Sequence, residues 1–152
     1  MKEDFQESFW KTLLWVIVGI FIIFYPMLVS IYVFLPLMIG FMGYVLVLGI
    51  KKVRIAYILT SVIYLVNLEV NLSLPLLLSF VAVLFFYLVI FPQFDILKKC
   101  TICSPMLSVI FIDLLYFIFL MGFDIVTDQV SIAIDKLLLY SLVVDMMLVF
   151  LL

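Results

Sequence analysis

Asn67-Leu68-Glu69-Val70-Asn71-Leu72-Ser73-Leu74-Pro75 alternates polar and apolar residues one for one between two long apolar runs. Glu69 is the only charged residue between Arg54 and Asp95. This is therefore where the backbone leaves an apolar environment and turns, and the stretch reads as the tip of a transmembrane hairpin. The tip orders the rest by parity. If it lies on one side of a membrane, the basic clusters Lys51-Lys52-Val53-Arg54 and Lys98-Lys99 that flank it lie on the other.

Working outward, the composition supports that reading. The chain has 152 residues, of which 70% are hydrophobic and 12% charged, against roughly half and a quarter in soluble domains. Too much apolar surface is present for one water-soluble core. The composition predicts an all-α, polytopic integral membrane protein: about six transmembrane helices with short loops, forming a single domain over residues 1–152. The net charge is −2, and the basic residues fall into short clusters, so no surface suited to nucleic acid is expected. No histidine is present, which removes the commonest metal ligand and general base. The acidic start Met1-Lys2-Glu3-Asp4 and the lack of a small-residue cleavage site argue against a removable signal peptide.

The run from Phe9 to Ile50 carries one charge, Lys11, and as one helix would be about 60 Å long, twice a bilayer core. It must be two spans. Tyr25-Pro26 is the expected break, since proline disfavours helix in the residue before it, with Pro36 as a kink further on. The expected spans are 9–25, 28–50, 54–70, 74–91, 105–122 and 134–152. Gly40 and Gly43 share a face of the second span, and Ala56 and Thr60 make a small-xxx-small pair in the third. Packing of those faces against each other is the expected contact, with a dimer face as the alternative. Pro75 suits the first turn of the fourth span. Asp124, Asp128, Ser131 and Asp135 recur at helical spacing, so residues 123–135 read either as a helix at the membrane surface or as an acidic loop.

Lysine and arginine are retained on the cytoplasmic side. With both termini cytoplasmic, Lys2, Lys11, Lys51, Lys52, Arg54, Lys98 and Lys99 lie inside and Lys136 lies outside. Five spans would break this parity. The hairpin tip then faces outward, where Glu69 reads as an ordinary exposed turn acid. Trp10 and Trp15 fit an aromatic belt at the first interface.

Asp113 and Asp145 fall well inside the fifth and sixth spans. A carboxyl there is costly and should point inward. It serves a proton or cation site or a partner's membrane helix; the plainer reading is a protonated acid bonded to Ser108, Tyr116 or Ser141. Cys100-Thr101-Ile102-Cys103 supplies two of the four ligands a structural zinc needs. Reduced thiols are expected there, with lipid attachment or an intermolecular metal site as alternatives. No phosphate loop, catalytic triad or internal repeat is present, so neither enzymatic activity nor a metal or other cofactor is expected.

Three patterns resemble the bacterial rod-shape-determining membrane protein family MreD. They are the third span ending in Tyr64-Leu65-Val66-Asn67-Leu68-Glu69 through Pro75, the aspartate in Ile112-Asp113-Leu114-Leu115, and a final span after an outward loop. The likeness runs from about Lys52 to the carboxyl terminus. It departs from the family where Asn67 precedes a late Glu69 and Pro75 stands in place of glycine. The resemblance implies a non-enzymatic scaffold of the cell-wall elongation complex in the bacterial cytoplasmic (inner) membrane. Its implied partners are membrane lipids, a single-span MreC-like protein and cell-wall synthases, with Asp113, Asp145, Glu69 and Asn67 as candidate contact residues. The MreD fold is also similar to substrate-binding membrane subunits of vitamin transporters. That leaves two alternatives, such a subunit or a small proton- or cation-coupled carrier using Asp113 and Asp145.

Overall fold

The computed structural model describes residues 2–32, 34–93, 103–127 and 137–150. Its helices are α1 (Lys2–Ile31), α2 (Ile39–Lys52), α3 (Ile55–Asn71), α4 (Leu78–Phe85), α5 (Cys103–Thr127) and α6 (Leu137–Phe150). There is no strand among the described residues, and the chain is all-α. Thr12–Ile31 of α1 and the whole of α5 are long and apolar enough to cross a membrane. The 17 residues of α3 reach only about 25 Å, short of a bilayer core. The final turn of α4 widens into a π-helical segment, Phe86–Ile90.

The first interhelical break lies ten residues beyond the expected one. Helix α1 runs through Tyr25-Pro26 to Ile31 and keeps Pro26 in its interior, while the chain leaves helical geometry before α2, around Pro36. Either proline removes one backbone donor and strains the preceding turn. What separates them is the supply of partners for the backbone groups that a break frees. Around Pro36 that supply is ample, as the site below shows.

Helices α2 and α3 form the tight hairpin that the basic cluster predicts. Val53 sits in left-handed geometry at φ 52°, and the Arg54 N–H closes the end of α2 on the Gly49 carbonyl at 2.9 Å. Lys51 and Lys52 lie in the last turn, where cations favour the negative helix end. The pairing expected of the small residues is not the one formed. A Cβ on Gly40 would meet Asp113, and one on Gly43 would meet Ile112 and Val83. Ala56 is exposed, and the Thr60 hydroxyl turns back to the Ala56 and Tyr57 carbonyls. The close approach of α2 to α3 occurs instead at Gly49, whose Cβ would lie 3.0 Å from the Ile58 amide nitrogen.

Helix α2 is the hub, packing against α3, α4, α5 and α6, while α1 docks on α3. The most enclosed apolar side chains, Leu37, Val47, Leu65, Leu68, Phe86, Ile112 and Leu120, belong to these contacts.

Two expectations about the tip are corrected. Helix α3 continues to Asn71, so Asn67 and Glu69 belong to its last turns, and the connection is residues 72–77. Pro75 precedes α4 rather than opening it, since α4 starts at Leu78. Lys98, Lys99, Cys100 and residues 128–136 lie outside the described residues, so the acidic segment can be placed only at its start. There Asp124 is buried within α5.

Candidate functional site

The amino end of α2 has no cap of its own. Met38, at φ 52°, contributes no side-chain hydrogen bond, although the first turn of any helix leaves N–H groups without intrahelical acceptors. Helix α6 supplies them across about a hundred residues of sequence. Ser141 Oγ accepts the N–H groups of Leu37 at 3.0 Å and Met38 at 3.3 Å. One turn on, Asp145 Oδ2 accepts those of Gly40 at 3.0 Å and Phe41 at 3.3 Å. The i, i+4 spacing puts both acceptors on one face of α6.

The freed carbonyls are met from the other side. Tyr25 of α1 donates its hydroxyl to the Pro36 carbonyl at 3.0 Å, and Tyr64 of α3 donates to that of Leu37 at 2.9 Å. Both tyrosines are buried, with an apolar ring in the core and a polar tip on the break. The proline arrests the helix, and four side chains from three helices make the arrest affordable.

Asp113 of α5 completes the cluster. A Cβ built on Gly40 would stand 2.5 Å from Asp113 Oδ2 and 2.6 Å from its Oδ1 and Cγ. Only a residue without a side chain fits between the start of α2 and that carboxyl. Asp113 and Asp145 are 3% and 0% exposed and meet at Gly40. Asp113 Oδ2 and Asp145 Oδ1 have no hydrogen-bond partner.

Of the neighbours anticipated for these acids, Ser108 bonds its own helix at the Ser104 carbonyl, and the Tyr116 hydroxyl is buried without a partner. Ser141 stands beside Asp145 as a second cap. The sequence reading missed Tyr25 and Tyr64. The available signal was a hydroxyl-bearing ring at these positions in spans otherwise rich in phenylalanine.

The third acid is not the exposed turn residue expected. Glu69 is 1% exposed; its Oε2 accepts the Leu77 N–H and its Oε1 the Ser79 N–H, each at 2.7 Å. It caps α4 from the end of α3, because a carboxylate is held strongly by N–H groups at a positive helix end. Asn67 also has a structural task, donating to the Ile23 carbonyl of α1 at 2.8 Å. That carbonyl lies next to the one Pro26 leaves without its helical donor.

Cys103, at the start of α5, is disulfide-bonded rather than a reduced thiol. Cysteines spaced CxxC at a helix start are near enough to pair. Among the described residues no cluster of three or more His, Cys, Asp or Glu could hold a metal ion. Comparison with protein-family models, curated proteins and solved structures finds no match to this chain.

Chemically, the cluster joins two enclosed carboxyls to one positive helix end. Nothing described beside them supplies a nucleophile with its base. The arrangement suits holding charge and position.

Proposed function

We propose that this chain is a six-span protein of the bacterial cytoplasmic membrane, with both termini inside. On this reading it acts as a non-catalytic scaffold of the MreD kind, helping to assemble the cell-wall elongation complex. The membrane reading is supported by the exposure of the long helices. Only 22% of the apolar window in α1 and 39% of that in α5 is buried, whereas a soluble core helix would be mostly enclosed. The shorter helices suit it if neighbouring loops and the irregular segment before α2 complete the crossing. Broken backbone is tolerated at membrane depth where protein satisfies its polar groups.

The observation that carries the scaffold reading is the outer face of α1. Trp10, Leu14, Ile17, Phe21, Phe24 and Leu28 are all exposed and follow one another at alternating steps of four and three. That is the spacing of a seam for knobs-into-holes packing with another helix. No charge interrupts the face, and α1 packs chiefly on α3, so the seam is open to a single-span partner such as an MreC-like protein. The acids take no part in that surface; they hold the helices that present it.

The test uses a rod-shaped host in which this chain is the sole copy. Replacing Ile17 and Phe24 by asparagine leaves the folded core untouched, and it should abolish co-purification of the single-span partner and round the cells. Rods of normal shape with an intact complex would refute the scaffold reading. A cysteine at Asn71, in a background lacking Cys100 and Cys103, should label from outside in intact cells. Labelling only after permeabilisation would reverse the orientation.

One observation favours a second reading, the proton- or cation-coupled carrier: the partnerless oxygens on Asp113 and Asp145. The vitamin-transporter reading draws less support, because Glu69, near the end of α3, is occupied in capping α4.

A further inference from the structure

We propose that Asp113 and Asp145 bind one proton between them, as a carboxylic acid–carboxylate pair seated on the amino end of α2. The inference narrows the ligand of the carrier reading to a proton, but it holds whether or not the chain transports anything.

Charge is the first argument. No lysine or arginine occurs in α5, in α6 or in the first three turns of α2. Among the described residues, the titratable groups near the pair are phenols. Tyr25 of α1 and Tyr64 of α3 both lie within the field of Asp145, and Tyr140 of α6 lies beside Tyr25. Two ionised acids would place two negative charges against a helix end worth about half a positive charge. One bound proton leaves a single negative charge, which that end and its N–H groups can hold.

Oxygen valence is the second and sharper argument. Asp145 Oδ2 already accepts two N–H groups, which marks Asp145 as the ionised member. The oxygens left over are one on each acid, Asp113 Oδ2 and Asp145 Oδ1. A carboxylic acid provides one O–H donor and a carboxylate provides acceptors. A proton on Asp113 Oδ2, donated to Asp145 Oδ1, satisfies both atoms with nothing left over. In forming the pair, the Asp113 carboxylate gains an O–H bond to a proton from a solvent hydronium ion, whose own O–H bond breaks to leave water.

A hard metal cation fits less well. Calcium or magnesium gathers about six or more oxygens, whereas among the described residues the site offers these two and no third acid.

Infrared spectroscopy of the full-length protein in lipid nanodiscs tests the proposal directly. Aspartate-selective carbon-13 labelling separates Asp from Glu. At neutral pH one protonated aspartate carbonyl per chain is expected; it should vanish in Asp113→Asn and shift without vanishing in Asp145→Asn. A wild-type spectrum lacking that band, or a band that survives Asp113→Asn, overturns the proposal. So does a band that disappears when sodium replaces choline, with a rise in melting temperature, because the pair would then hold a metal cation. The wild-type spectra decide the matter even if a variant fails to fold. Loss of the partner complex in the α1 variants bears on the scaffold alone and leaves this pair unaffected.

Discussion

Glu69 Oε1 accepts the Ser79 N–H at 2.7 Å, across the connection that separates α3 from α4. With Leu77 on the other oxygen, one side chain fixes both the end of α3 and the start of α4. The turn between them carries two non-glycine residues in left-handed geometry, Ser73 at φ 52° and Leu77 at φ 70°. Such geometry persists where surrounding bonds over-determine it, and the Glu69 bonds do so here.

Glu69→Ala should therefore cost about 3 kcal/mol of stability, the value of two buried charge-assisted hydrogen bonds left without an acceptor. Glu69→Gln keeps the shape but turns one donor toward another donor, and should cost about half as much. Unfolding in detergent, followed by the helical signal, measures both. Equal stability of the wild type and Glu69→Ala would mean that the cap contributes nothing.

Gly40 and Asp113 offer a cleaner test, because they interfere with each other through space. Gly40→Ala drives a methyl into a carboxyl group that has no room to withdraw, and should destabilise by about 1–3 kcal/mol. Asp113→Ala removes the obstacle. The double variant should then be more stable than the sum of the single losses predicts, by about 1 kcal/mol or more. Strict additivity would show that the two residues do not meet.

Much of the fold was legible in the sequence, and the illegible parts share a cause. Apolar runs longer than a soluble core can use predict helices, and a two-residue basic turn predicts the α2–α3 hairpin. Asp113 and Asp145 drew notice because a carboxyl is expensive in such runs. Their meeting place could not be read, since it depends on α5 and α6 both reaching the start of α2. The choice between Pro26 and Pro36 had the same character. Each proline breaks a helix equally well on local grounds, and the decision lies with Tyr25, Tyr64, Ser141 and Asp145, none adjacent to Pro36 in sequence. For Glu69 the sequence points to a solvated turn acid, the usual fate of an acid in a turn; the N–H groups that hold it become an acceptor-seeking pair only once α4 has formed.

The other glycines should rank by the space around them. A Cβ at Gly43 would lie 2.9 Å from γ-methyl groups of Ile112 and Val83, which sit on buried β-branched side chains with little freedom to turn away, so Gly43→Ala should cost about 1–3 kcal/mol. At Gly122 there is open space within 4 Å. There Gly122→Ala should be stabilising by up to about 1 kcal/mol from helix propensity alone. Melting temperatures of the two variants in one detergent should fall on opposite sides of the wild type.

The last prediction concerns the break before α2. From Pro36 to Met38 its backbone leans on side chains: Ser141 on the Leu37 and Met38 N–H groups, Tyr25 on the Pro36 carbonyl and Tyr64 on the Leu37 carbonyl. Ser141→Ala strands one buried and one partly buried donor while removing a single oxygen, which costs about 1–3 kcal/mol per unsatisfied group at the upper limit. Tyr64→Phe strands one carbonyl, which tolerates a missing bond better than an N–H does. Amide exchange should therefore quicken at Leu37 and Met38 in Ser141→Ala, and to a smaller extent in Tyr64→Phe. Residues late in α2, whose bonds are intrahelical, should keep their wild-type rates. Acceleration spread evenly along α2 would mean that the helix opens as a unit and that the cap from α6 does not hold its first turn separately.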